Sequence, residues 1–362
     1  PIRTATRNFN TGANYGFVGT AAQVSGSDFP ATVNNLTLNN AAGLSLSSNT
    51  TVNGILTLTA GALATGANTL TLKGAISGTG TINTGSIGTI TFAGESGQFL
   101  DAVNLTSNSV NNLILNNAAG LNLGNPTTVN GILTLTAGAL TLANNNLTLG
   151  AAGTIPGGSA TAYIATTGTG KLIQPVAATT AKLFPIGTAS SYDPVTVTPT
   201  DAADFSAKVY TSLSGTAASG YFYNAKEWDL TSSAPSSTLV SLTPSVVTAT
   251  GINAVIGHYD TGDYINIPAT LTGSSYAATV TSFSPFVTGQ TDLSTGLSNG
   301  KVSQLFFDGQ IIHNNANIDL QVFDATGKFI LSTKKSVNMA SKANGIYFIK
   351  SELGTQKISV IN

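Results

Sequence analysis

The chain has 362 residues, of which 41% are hydrophobic and only 8% charged, with a net charge of −1 and no cysteine. Such a composition is rich enough in apolar residues for a packed core and excludes disulfides, thiolate metal sites and thiol nucleophiles. The near-zero charge gives no field that would draw in nucleic acid or an anionic membrane, and no apolar run approaches the roughly 18 residues of a membrane span.

Residues 1–30 read as an N-terminal arm or cap, with Phe9, Tyr15 and Phe17 as its apolar anchors. A chain starting at Pro1 is expected to be a mature, processed form. An internal repeat follows. Val33–Leu72 and Val110–Leu149 share 30 of 40 aligned residues at an offset of 77. Upstream, Phe17-x-Gly19-x-x-x-Gln23 is matched by Phe92-x-Gly94-x-x-x-Gln98.

Within the repeat, apolar residues come as couplets such as Leu36/Leu38, Leu44/Leu46, Leu56/Leu58 and Leu70/Leu72, with Leu63 between. Alternation turns these leucines inward and the middle residue outward. Couplets recur after about 19 residues: Leu36, Leu56 and Ile76; Leu44, Leu63 and Ile82; Val52, Leu70 and Ile90. Three short strands per lap predict a three-sided parallel β-helix, a β-solenoid, over residues 31–154. Residues 1–150 would give roughly seven laps, a rod about 30–35 Å long. Glycines between couplets supply the corners, and the pairs Asn39-Asn40 and Asn116-Asn117 are candidates for left-handed backbone and for laddering.

Beyond residue 155, strand-like runs at Val195–Thr198, Ala207–Tyr210, Thr238–Leu242 and Ala277–Phe283 predict an antiparallel β-sandwich over 155–290. The polar stretch Thr288–Gly300 supplies a linker, bounded at 291–300. Charge then jumps: the last 62 residues hold 11 charged residues, seven of them Lys, against 18 in the first 300. Two hairpins there, Leu320–Asp324 with Lys328–Ser332 and Ile346–Ser351 with Gln356–Ile361, predict a small Ig-like β-sandwich over 301–362.

Candidate chemistry is sparse. Glycan cleavage needs clustered carboxylates, and the rod offers only Glu95 and Asp101 near each other in sequence. Asp260-Thr261-Gly262 matches an aspartic-protease triplet in a single copy, so it reads as a β-turn, with Asp260 and Asp263 the weak candidates for a metal. His258 and His313 fall in different domains. Gly168-Thr169-Gly170-Lys171 lacks the upstream Gly of a phosphate loop, and Trp228 reads as core rather than a sugar platform. Stacked threonines, Thr37 over Thr57 and Thr71 over Thr91, read as a solvated face. The expectation is a chain that is not an enzyme and binds no cofactor.

The last segment, Leu320-Gln-Val-Phe-Asp-Ala-Thr-Gly-Lys328, Asn344-Gly-Ile-Tyr-Phe-Ile-Lys350 and Gln356-Lys-Ile-Ser-Val360, resembles the C-terminal sorting domain of type IX secretion substrates of Bacteroidota. The motif positions are Asp324, Gly327, Lys328, Gly345, Tyr347, Lys350 and Lys357. The family often opens with Asn-Pro, where this chain has His313-Asn314-Asn315. The middle region, with Phe184-Pro-Ile-Gly187, Tyr192-Asp-Pro-Val195, Trp228-Asp-Leu230 and Ser282-Phe-Ser-Pro-Phe286, is similar to sandwich modules of large surface proteins of the same bacteria, and the Leu-Thr-Leu repeats resemble their stalks. The resemblance implies export to the outer cell surface by the type IX machinery. The functional expectation is a structural subunit that polymerises with copies of itself, the N-terminal arm Pro1–Tyr15 serving as a strand donor; the alternative is a monomeric adhesin or glycan-binding stalk.

Overall fold

The computed structural model describes residues 9–216, 221–247, 253–291, 305–307, 311–314, 318–352 and 354–360. These residues form an all-β chain whose only helical pieces are two three-residue 3₁₀ turns, Ala102–Asn104 and Thr106–Asn108. It divides into two compact units, residues 1–216 with 223–289 and residues 217–222 with 290–362.

The first unit begins as a parallel β-solenoid of about nine turns. Its first face stacks Tyr15–Phe17, Leu36–Asn39, Leu56–Ala60 and Ile76–Gly78. Its second stacks Gln23–Val24, Leu44–Ser45, Ala62–Ala64 and Thr81–Asn83, and its third Thr32–Val33, Thr50–Val52, Thr69–Leu72 and Thr89–Phe92. All pairs are parallel, Leu36 on Leu56 on Ile76 and Leu44 on Leu63 on Ile82, and the register shifts only after Leu38, where Asn39 meets Ala60. The leucine alternation works as the period-2 argument requires: Leu36, Leu38, Leu56, Leu58, Leu63 and Leu70 are fully buried.

One stack departs from expectation. Val52 pairs with Leu72, and Leu70 lies on Thr50. The lap is thus 20 residues here, not 18, and puts a threonine inside. Buried Thr50 satisfies its hydroxyl on the Ser48 carbonyl at 3.2 Å, and its counterpart Thr127 does so on Asn125 at 3.1 Å.

The corners are built by buried amides and left-handed glycines. Asn40 donates to the Ala21 carbonyl and to Gln23 Oε1 and accepts from the Ala42 N–H. Asn117 repeats this with Ser96, Gln98 and Ala119. Gln98 in turn donates to the carbonyls of Leu72 and Gly74. A buried polar group is tolerated only when paired, and each of these ties one lap to the next. The left-handed backbone lies not on the Asn pairs but on Gly43 and Gly120, at φ of 87° and 88°, and on Gly61 and Gly138, at 85° and 84°.

The two repeat copies do not occupy the same faces. Phe92, the counterpart of Phe17, lies on a strand eleven strands further on, one short of four three-strand laps. That strand closes the third face of the first copy and opens the second: it pairs with Thr69–Leu72 on one side and with Asn112–Asn116 on the other. Asn112–Asn116, homologous to the first-face strand Leu36–Asn39, therefore extends the third face.

Parallel stacking continues past residue 154, through Ala162–Ala165 to Ile186–Gly187 and through Leu147–Leu149 to Leu172–Val176. On the latter face the sheet changes sense. Leu172–Val176 pairs antiparallel with Ala203–Tyr210, and the sheet goes on through Tyr221–Ser232, Pro285–Thr291, Ala254–Asp260 and Asp263–Pro268. A five-stranded antiparallel sheet, Lys182–Phe184, Val195–Pro199, Thr238–Leu242, Ser275–Val280 and Thr270–Thr272, completes the sandwich. One continuous core runs from Phe29 to Phe286, so rod and sandwich share both sheet and core. The strand Pro285–Thr291 takes in the start of the polar stretch read as linker: Thr288 is fully buried and accepts from the Asn224 amide at 2.7 Å. Residues 292–300 lie outside the described residues.

At the first lap, Phe29 packs edge-on against Tyr15 and Phe17, and Phe9 against Tyr15. Tyr15 is thereby part of the first rung, not of a free arm; residues 1–8 lie outside the described residues.

The second unit has its own core of Ile312, Leu320, Val322, Tyr347, Ile349, Ile358 and neighbours. Both expected hairpins form, Leu320–Asp324 with Phe329–Thr333 and Gly345–Ser351 with Gly354–Val360.

Candidate functional site on the outer face of the sandwich

Strands Ala203–Tyr210 and Tyr221–Ser232 run side by side, Lys208 opposite Asp229 and Tyr210 opposite Glu227. Phe205, Ala207 and Val209 point into the core, so Lys208 and Tyr210 lie on the outer face. Lys208 is nevertheless only 4% exposed, because the loop before Lys171 folds over it. Its ammonium donates to the Gly168 carbonyl and sits 4.2 Å from the Tyr210 ring centre. Burial lowers its pKa, against the opposing pull of Asp229.

The acids beside it are engaged elsewhere. Asp229 pairs with Lys171 at 2.8 Å and accepts from the Tyr210 hydroxyl at 3.4 Å. Fully buried Glu227 accepts from the Ser214 hydroxyl at 2.6 Å, the Ser214 N–H at 2.8 Å and the Tyr264 hydroxyl. The Tyr264 pKa is raised, first by burial and then by that carboxylate. Next to Lys208 opens a hollow of about 220 Å³, with Thr167, Thr211 and Ser212 at its rim.

The loop over Lys208 is held by the previous lap. Asn144 Oδ1 accepts from the Thr169 N–H at 3.1 Å, and Asn146 Oδ1 from the Lys171 N–H at 3.0 Å. The Gly168–Lys171 stretch thus has a defined place, supplying a carbonyl to Lys208 and an ammonium to Asp229.

Other sequence candidates lie apart from this cluster. Trp228 is fully buried and its indole donates to the Asp193 carbonyl at 2.9 Å. The Asp193 carboxylate, also fully buried, accepts from the Ser191 hydroxyl and the Ser245 N–H and lies 3.9 Å from Lys226. The Tyr192-Asp-Pro-Val195 and Trp228 motifs therefore converge on one structural knot. Asp260 and Asp263 face each other across a hairpin whose two turn residues, Thr261 and Gly262, both have positive φ. Both are exposed, Asp263 accepts from Thr216, and no group of three or more metal-ligating side chains occurs among the described residues.

Asp101 accepts from Asn125 and from the Val103 N–H, so it caps a 3₁₀ turn, while Glu95 lies in an exposed turn. His258 stacks on Phe286 at 4.8 Å, and His313 belongs to the second unit. There, Asp324 Oδ1 accepts from the Thr326 hydroxyl, the Thr326 N–H and the Lys328 N–H, and Gly327 takes φ +85°. These bonds hold the Asp324 carboxyl below its usual range, the Thr326 hydroxyl first among them. Tyr347 is buried with its hydroxyl on the Ala343 carbonyl, Gly345 opens its strand with no neighbour near its Cα hydrogens, and Lys350 and Lys357 are exposed.

Sequence reasoning did not reach Lys208, Tyr210, Glu227, Asp229 or Tyr264. The available signal was four charged residues, Asp204, Lys208, Glu227 and Asp229, at outward positions of two neighbouring strands in a chain otherwise poor in charge. Comparisons with protein families, curated proteins and solved structures find no match to this chain.

Proposed function

We propose that the chain is a non-enzymatic structural subunit of the outer cell surface, exported by the type IX machinery and joined to copies of itself by strand addition at the first lap of the rod. The observation that carries this reading is the state of that lap. Among the described residues, Tyr15–Phe17, Gln23–Val24 and Thr32–Val33 each end their sheet, bonded to the next lap on one side only. Val24 in the second of these strands and Val18 just after the first are 65% and 68% exposed. Unpaired strand edges recruit further strands, and between residues 9 and 170 only Asp28, Lys73, Glu95 and Asp101 carry charge to oppose association.

The test is electron microscopy of the purified full chain beside a Gly16→Pro variant. The Tyr15 N–H donates to the Asn35 carbonyl at 2.9 Å, so strand alternation turns the Gly16 N–H to the free edge. A Cβ at Gly16 would meet nothing within 4 Å among the described residues, so a side chain has room there, and proline removes that donor. Filaments from the parent chain, lost in a Gly16→Pro chain with an unchanged circular dichroism spectrum, are the expected result. Dispersed particles at high concentration of the parent chain would overturn the reading.

A further inference from the structure

We propose that the hollow beside Lys208 is a binding site for an acidic sugar, its carboxylate meeting the buried ammonium and its ring hydroxyls meeting the rim. The buried Lys208 ammonium has donors to spare. An ammonium has three N–H groups, and among the described residues that of Lys208 meets one hydrogen-bond acceptor, the Gly168 carbonyl, and the face of the Tyr210 ring, which leaves at least one N–H unmatched. Leaving charged donors buried and unmatched is costly, and an anion in the adjoining space would use them.

The neighbouring acids do not fill that role. Asp229 is neutralised by Lys171, and Glu227 is enclosed by Ser214 and Tyr264. At the rim, the exposed hydroxyls of Thr167, Thr211 and Ser212 make no hydrogen bond within the described residues, so they are free to meet a polyhydroxyl ligand. The volume, about 220 Å³, suits one sugar ring better than a longer chain. With Lys171 and Lys208 balanced by Asp229 and Glu227, the site has no net charge. Weak, salt-sensitive binding is therefore expected, with selectivity coming from geometry.

The test is a titration of the isotope-labelled full chain with glucuronate, inorganic sulfate and neutral glucose, followed by amide NMR shifts. Saturable shifts with glucuronate at residues 166–168, 188–189 and 208–212, at an affinity at least about tenfold above that for sulfate or glucose, are expected. Lys208→Met should abolish them. Because that change alters a buried position, Ser212→Glu is the second variant: it adds a like charge at the open rim and should weaken glucuronate at least about tenfold. Equal binding of sulfate or glucose, no saturable shift at these residues, or unchanged glucuronate affinity in Ser212→Glu would each overturn the proposal.

Discussion

Asn40 and Asn117 occupy the same corner of the two repeat copies and make the same three kinds of hydrogen bond, yet the strands they follow lie on different faces of the rod. Leucine burial, glycine φ and amide ladders reproduce from copy to copy, while the address on the rod does not. The repeat therefore encodes the step from strand to corner to strand. The face is set by counting strands, and an eleven-strand unit slips one face at each copy.

The largest expected effect breaks the equivalence. Leu58 is fully buried, whereas Leu135 is only partly so, because the residues after the single bridge from Ile132 to Thr154, 155–158, form no strand to cover it. Leu58→Ala should cost about 3–5 kcal/mol of stability and Leu135→Ala about 1–2 kcal/mol, measured by urea denaturation. Equal losses would show that Leu135 is covered in solution.

A smaller effect sharpens the equivalence. A Cβ on Gly61 would fall on the Asn40 carbonyl oxygen, and one on Gly138 on that of Asn117, both at positive φ. Alanine at either position should cost about 2–3 kcal/mol, from left-handed strain and displaced backbone together. The two values should agree within about 0.5 kcal/mol, since the local step is the same on both faces. A difference of several-fold would mean that the face, not the step, sets the geometry.

The smallest effect sets the sandwich against the rod, which has no histidine. Burial against Phe286 lowers the His258 pKa below 6.5, only partly offset by Asp260. A depressed histidine favours the folded state fully above the unfolded pKa, and this contribution is lost as pH falls through about 6.5 and below. Amide-exchange protection around Ala254–Asp260 should therefore drop between pH 7 and pH 5 while that of Leu36–Leu72 holds, and His258→Gln should remove the difference. A uniform drop in both regions would assign the response to other groups.

Much of the rod was legible because its signal is periodic: each Leu-x-Leu couplet repeats the same instruction, and errors average out. The slip of Val52 from Leu70 to Leu72 was not, since Thr50 looks like an outward residue until its hydroxyl is seen bonded to Ser48. Glycine corners were legible, and Gly61, Gly66 and Gly78 do take positive φ, but the Asn pairs were read as further left-handed candidates, whereas Asn40 and Asn117 serve as inward amides. The junction at residue 154 was placed by a change in composition, but backbone pairing ignores composition and carries Leu147–Leu149 on into Leu172–Val176. Around Lys208 the sequence offered least. Its cluster gathers residues from Thr166 to Tyr264 that share no local motif and meet through strand register and through the Asn144 and Asn146 amides that hold the Gly168–Lys171 loop.

The eleven-strand unit has a geometric consequence. Each added copy turns its surface residues by a third of a revolution about the rod axis, so three copies would span eleven laps and return the pattern to its starting face. A rod lengthened by duplication of this unit would be a three-start display, carrying the same corner residue outward in three directions at fixed axial intervals.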